Sequence, residues 1–256
     1  MATTAGTSAD AEVERAKQAV RERTWKLLEG SHAARFPGAR GRIPNFAGAE
    51  AAAERLAELP AWRSAHVIKA NPDAPQLPVR KRALTEGRLL YMAVPRLAER
   101  QPFLRLDPRT LQVPPQTASS ISGAARHGRP ISVARMRRID LVVCGSVAVN
   151  RRGQRVGKGG GFSDIEFALL REAGLVDDET TIATTVHDLQ LVDDALPETD
   201  HDFRVDVVVT PTLLVRARRT RRPTGILWSH LDAEKAAAIP VLATTRPRGT
   251  DRNRPR

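Results

Sequence analysis

The ten residues Arg155-Val-Gly-Lys-Gly-Gly-Gly-Phe-Ser-Asp164 hold four glycines, two basic side chains and a carboxylate. Glycine carries no Cβ, so a run of glycines lets main-chain N–H groups close around phosphate oxygens. Arg155 and Lys158 add full positive charge. Asp164 falls in the first turn of the helix expected to follow, where a carboxylate can bind Mg²⁺ directly or through water. That helix would aim its positive N-terminal end at the same anion. The run lacks the Gly-Lys-Ser/Thr ending of a Walker A loop, and it stands too late in the chain for a dinucleotide fingerprint. Read from residue types alone, it is either a phosphate cradle or a tight turn between a strand and a helix.

Several other polar residues sit where chemistry could occur. His187 and Asp188 follow an apolar strand, at the carboxyl edge where α/β sites gather; they read as pocket residues or as a pair capping the strand end, with Gln190 belonging to the same group. His201 and Asp202 lie in an acidic loop and read as structural. Glu166, two residues after Asp164 and on another helix face, either assists a metal or faces solvent. Cys144, the single cysteine, sits in an apolar run and reads as core. Trp25 and Trp62 read as packing residues, and no His/Cys/Asp spacing suggests zinc.

The elements that must position these groups alternate between strand and helix. Val13, Ala16, Val20, Trp25 and Leu28 are spaced for an amphipathic helix over 11–29. A Pro/Gly/Arg loop over 36–46 follows, then an alanine-rich helix over 49–58. Residues 65–69 and 89–94 read as strands flanking a helix over 77–86, which Gly87 closes. Residues 107–130, rich in Pro, Gly, Ser and Thr, read as a long loop. Residues 139–144 form a continuous apolar strand of the kind buried on both faces of a parallel sheet. A helix over 163–173, strands over 181–186 and 205–210, and a short helix over 233–238 complete the order. This succession predicts an α/β class. Residues 1–10 are expected to be a disordered N-terminus, 11–244 a single domain, and 245–256 a basic disordered tail.

Of the 256 residues, 41% are hydrophobic, enough for a packed core. No apolar run approaches the roughly 18 residues of a membrane span, the N-terminus lacks a secretory h-region, and a cytoplasmic location is expected. The net charge of +12 suits anionic small molecules; with only 4% aromatic residues and no RNP-type aromatic pattern, nucleic acid is not expected as a partner.

The glycine run resembles the R-x-G-x-G-x-G-[YF]-[YS]-D signature of the 5-formyltetrahydrofolate cyclo-ligase family. Asp140-Leu-Val-Val before it and Val205-Asp-Val-Val-Val-Thr-Pro211 after it fit the family's core strands. Gly145-Ser-Val-Ala-Val, Asp164-Ile-Glu166, Val186-His-Asp-x-Gln190, Arg42-Ile-Pro-Asn-Phe46 and Arg222-Pro-Thr-Gly-Ile226 are similar to a divergent branch, the methenyltetrahydrofolate synthetase domain-containing proteins. The resemblance implies a three-layer fold with a mostly parallel central sheet and helices on both faces, of the NagB/RpiA/CoA transferase-like kind. It implies ATP and Mg²⁺ as cofactors, and ATP-dependent closure of 5-formyltetrahydrofolate to 5,10-methenyltetrahydrofolate. Lys17 and Arg21, with Arg155, Gly157, Lys158, Gly159, Gly160, Gly161, Phe162 and Asp164, would hold the nucleotide. Arg155, Lys158 and Asp164 would be catalytic, and Asp164 the metal ligand. Lys69, Asn71, Phe162, Ser163, His187 and Asp188 would face the substrate, and Asp73 lies in the same loop as the first two. The implied partners are ATP and a folate or other formyl or amide compound, in a monomer or homodimer. Phe162-Ser163-Asp164-Ile165 stands where the enzymes usually carry Tyr-Tyr-Asp-Arg, which keeps two alternatives open: an ATP-dependent enzyme acting on a different formyl or amide group, and a non-catalytic nucleotide-binding paralogue.

Overall fold

The computed structural model describes residues 4–218, 221–231 and 233–245. Its helices are α1 (Thr4–Gly30), α2 (Ala49–Ala57), α3 (Pro60–Ser64), α4 (Leu77–Thr85), α5 (Pro115–Ala118), α6 (Ile121–His127), α7 (Phe162–Glu172), α8 (Ala233–Ala237) and α9 (Pro240–Thr245). Its strands are β1 (Val67–Ala70), β2 (Leu89–Ala93), β3 (Phe103–Leu106), β4 (Arg129–Ile131), β5 (Leu141–Cys144), β6 (Ala148–Asn150), β7 (Arg155–Val156), β8 (Thr181–Thr185), β9 (Leu191–Val192), β10 (Val207–Val209) and β11 (Leu214–Arg216).

Eight strands form one sheet in the order β11-β10-β8-β5-β1-β2-β3-β4. The five inner strands from β10 to β2 run parallel, and antiparallel strands close both sides. Chain order runs outward in opposite directions from the β1–β5 pair. A crevice therefore opens beyond the carboxyl ends of these two strands, where neighbouring connections leave for opposite faces. The period of two along each strand sends alternate side chains to two separate cores. Ile68, Leu90, Leu141 and Val143 pack with α2, α3 and α4 through Leu56, Trp62 and Leu84. Val67, Tyr91, Val142 and Ile182 pack on the other face with Phe167 and Leu170 of α7. This gives the expected three layers.

Three sequence expectations change. Residues 4–10, expected to be disordered, continue α1; Gly6, Thr7 and Ser8 are poor helix formers, but the stretch contains no proline to stop a helix already formed by the residues after it. The expected loop over 107–130 contains α5, α6 and the start of β4. The Ser120 hydroxyl accepts the Gly123 N–H at 2.9 Å and so caps α6. A small second sheet, β7-β6-β9, was not anticipated. Residues 246–256, most of the expected basic tail, lie outside the described residues; Thr245 belongs to α9. No described helix is long and apolar enough to cross a membrane.

Candidate functional site

The crevice at the β1–β5 carboxyl ends widens into a cavity of about 600 Å³. One part of its lining is the turn after β7 together with the first residues of α7, from Gly157 to Glu166. Asn71–Ala74 after β1 and Gly145 after β5 supply another. The α1–α2 loop and the turn after β2 complete it.

Gly161 takes a left-handed conformation (φ 63°) as the N-cap of α7, and no side chain caps the helix there. The first N–H groups of an eleven-residue helix are thus left without a side-chain partner, the arrangement that attracts anions. Gly159 is also left-handed (φ 104°), and a Cβ there would stand 3.4 Å from the Arg21 guanidinium. Substituting this turn would therefore cost conformational strain as well as space.

Arg155 is delivered by the unexpected small sheet. Its guanidinium lies 4.0 Å from the centre of the Phe203 ring and donates to Asp164 Oδ1 at 2.6 Å. Burial, the largest single influence, works to lower its pKa, but Asp164 together with Cys144 and Asp202 holds the guanidinium above its ordinary value. Its Nε is buried without a hydrogen-bond partner. A buried donor of this kind fits an anion that completes its coordination. Lys158, half exposed, pairs with Asp73 across the cavity at 3.2 Å.

Beneath the cavity lies a second charged group. Lys69 points from β1 toward α7, and its ammonium donates to Glu166 and, at 2.6 Å, to Asn71 Oδ1. Asn71 Nδ2 lies 3.4 Å from Ser163 Oγ. Lys69 and Glu166 are both buried, so the expectation that Glu166 assists a metal or faces solvent gives way to a buried ion pair. Arg80 of α4, buried, donates to the carbonyls of Asn71 at 2.6 Å and Asp73 at 2.9 Å. It fixes the loop that carries both residues, and burial lowers its pKa to about 10.

The expected site residues are distributed as follows. Arg155, Gly157, Lys158, Gly160, Gly161, Phe162, Ser163, Asp164 and Asn71 line the cavity. Lys69 lies under it, and Gly159 stands on the outer side of the turn against Arg21. Arg21 Nε donates to the Gly157 carbonyl at 2.8 Å, and Lys17 pairs with the buried Asp202 at 2.5 Å. Both side chains lie outside the cavity lining: Arg21 braces the turn, and Lys17 ties α1 to the loop that carries Asp202. Burial works to raise the Asp202 pKa, and Lys17 holds it below the usual carboxylate range.

His187 and Asp188 are also outside the lining. His187 Nδ1 accepts the Leu189 N–H at 3.2 Å while Gln190 Oε1 accepts the His187 N–H at 2.8 Å, a reciprocal cap. Asp188 accepts from the Thr210 and Thr212 hydroxyls at 2.5 and 2.6 Å. The strand-capping reading of this pair replaces the substrate-facing one, because their polar atoms serve the ends of β8 and β10.

The lining beside the turn fits phosphate groups: a glycine cradle, an uncapped helix start, Lys158, and Arg155 with its unpartnered buried donor. For Mg²⁺, no group of three or more ligand side chains exists among the described residues. Asp164 alone suits an ion that takes one or two carboxylates and completes its shell with phosphate oxygens and water.

The chain is similar to known proteins in sequence and in fold. Methenyltetrahydrofolate synthase domain-containing proteins of Mus musculus and Bos taurus are 41% and 39% identical over 239 and 237 residues, 91% and 90% of this chain. The chain spans 63% and 62% of those relatives' lengths. In fold, the Aquifex aeolicus 5,10-methenyltetrahydrofolate synthetase superposes with a TM-score of 0.51 at 20% identity, covering 85% of this chain and 99% of that one. The model of the 5-formyltetrahydrofolate cyclo-ligase family matches residues 13–211, a span that carries the central sheet from β1 to β10, the glycine turn and the cavity, and the chain belongs to that family.

Proposed function

We propose that the cavity binds ATP with Mg²⁺ beside 5-formyltetrahydrofolate and closes the latter to 5,10-methenyltetrahydrofolate. The observation that carries this reading is the convergence, in one cavity, of the glycine turn, the uncapped start of α7, and Arg155 with its buried unpartnered Nε. Bound ATP supplies the phosphoryl group that makes the formyl oxygen able to leave, and Mg²⁺ supplies charge that offsets the phosphates.

The chain's own residues bind and orient. Lys158 and Arg155 would hold phosphate oxygens. Asp164 would hold the metal. Asn71, Ser163 and Phe162 set the substrate head against the turn, and Lys69 fixes Asn71 from below. No activated protein nucleophile is required, because phosphoryl transfer rests on positioning and charge. Each well-placed cation contributes about 10²–10³ in rate, the scale of deleting one preorganised donor.

The test is the absorbance of methenyltetrahydrofolate formed from 5-formyltetrahydrofolate and ATP. Lys158→Ala, at a half-exposed side chain, abolishes turnover with an unchanged Tm; Asp164→Ala abolishes turnover and also lowers Tm, because it leaves the buried Arg155 without its carboxylate; normal turnover in both refutes the assignment. A second reading, an enzyme for a different formyl or amide compound, is favoured by Phe162-Ser163 at the turn and by the Lys69–Glu166 pair below it. It predicts ADP release with such a compound and no methenyl product.

A further inference from the structure

The cations around the cavity differ in what balances them. Seven charged side chains line it: Arg42, Arg96, Arg155, Lys158, Asp73, Asp164 and Glu166. Arg155 is matched by Asp164, Lys158 by Asp73, and Glu166 by Lys69 beneath. Arg42 and Arg96 are left, both exposed and neither with a carboxylate partner among the described residues.

Both are held firmly at the main chain. The Trp25 indole donates to the Arg42 carbonyl at 3.0 Å, and the Arg42 N–H donates to the Ala39 carbonyl at 3.1 Å. Arg96 has φ 57° and Leu97 has φ 53°, consecutive left-handed residues that are not glycine. Such a conformation persists only where its surroundings enforce it. Leu97 is fully buried in the core beside α7. That anchor holds the turn after β2 in place while Arg96 stays at the cavity rim. The same lining includes the apolar Ile43, Val94, Pro95 and the half-exposed Ile121, of which Ile43 adjoins Arg42 and Val94 and Pro95 precede Arg96 in the chain.

We propose that Arg42 and Arg96 form a carboxylate subsite that grips the acidic end of the second substrate, with the apolar wall holding the segment before it. The cavity then takes an elongated ligand with its reactive head at the glycine turn and its carboxylates at the rim. Assigning that end to the benzoylglutamate tail of a folate rests on the function proposed above; the need for an anionic group at the rim does not.

Calorimetry on the full chain tests this with three probes: 5-formyltetrahydrofolate, 5-formyltetrahydropterin, which lacks the tail, and 4-aminobenzoylglutamate, which is the tail alone. A charge-assisted hydrogen bond corresponds to about tenfold in affinity or more. Arg42→Ala and Arg96→Ala should each weaken 5-formyltetrahydrofolate about tenfold and the double variant about a hundredfold, with tail-free pterin and MgATP affinities moving less than about twofold. Arg96→Gly separates binding from structure: it relieves the positive φ, so it should melt at or above the wild-type temperature while binding the tail more weakly. Unchanged affinity for 5-formyltetrahydrofolate in the double variant, or equal loss for the tail-free pterin, overturns the subsite and leaves the folate reading standing. Arginine-dependent uptake of 4-aminobenzoylglutamate with no uptake of either formyl compound keeps the subsite and removes the folate reading. Wild-type chain that takes up none of the three probes overturns the subsite.

Discussion

The Lys69–Glu166 pair gives the sharpest stability test of how this site is built. Lys69 is 2% exposed and Glu166 6%, so their charges interact with little screening by water. Glu166→Gln keeps the side-chain shape but leaves the ammonium with neutral acceptors alone, Asn71 Oδ1 and the introduced amide oxygen, and no compensating charge. Removing one partner from a buried ion pair costs about 3–5 kcal/mol. Against a total stability of about 5–15 kcal/mol this is a large share, and for a chain of this size it lowers Tm by about 6–20 °C. The double variant Lys69→Met/Glu166→Leu replaces both charges with apolar groups of similar bulk and should unfold at a urea concentration at or above that of the wild type. Urea titration followed by the fluorescence of the buried Trp25 and Trp62 reads both effects, and the double-mutant cycle isolates the coupling. A loss below about 1 kcal/mol in Glu166→Gln, or a double variant as unstable as the single one, refutes the claim that an uncompensated charge sets the cost.

Two further outcomes follow from the geometry. A Cβ at Gly145 would stand 2.7 Å from Ile43 Cγ2 and 3.0 Å from Gln76 Oε1, so Gly145→Ala should cost about 1–3 kcal/mol in the same titration and weaken nucleotide binding by shifting the cavity wall. Burial lowers the His187 pKa below its ordinary 6.5, with Asp188 offsetting part of the shift. The folded state therefore binds fewer protons than the unfolded chain in this range, and the contribution is full above 6.5 and is lost as the pH falls through the lower folded value. Tm should drop on acidification from pH 7 toward 5.5, and His187→Asn, which keeps a cap acceptor that does not titrate, should flatten that slope.

The α/β class and the parallel core were legible because β5 and β10 are continuous apolar runs, and β1 and β8 short runs rich in Val, Ile and Thr, between helical periods. The glycine turn was legible because so many glycines beside Arg155, Lys158 and Asp164 serve few purposes other than a close main-chain approach. What stayed hidden depends on pairings distant in the chain. The Glu166 carboxylate meets Lys69 97 residues away, and residue type and helix face alone do not reveal such a contact. Arg80 drew no attention in the sequence, although its charge falls on the same side of α4 as Val79, Ala83 and Leu84, which the structure buries. His187 and Asp188 looked like pocket residues because they follow a strand, yet the same residue types make good caps, and here the capping bonds use their polar atoms.

The outermost strands carry a consequence for assembly. A sheet margin normally presents unpaired N–H and C=O groups on which another chain can extend the ladder. Here β4 and β11 are three residues each, with Pro130 contributing no N–H on one side and Arg216 placing a charge on the other. Both margins are too short and too interrupted to template a further strand, so chains crowded together have little reason to join rim to rim into fibres. A pair of subunits would therefore gain little by adding strands at β4 or β11.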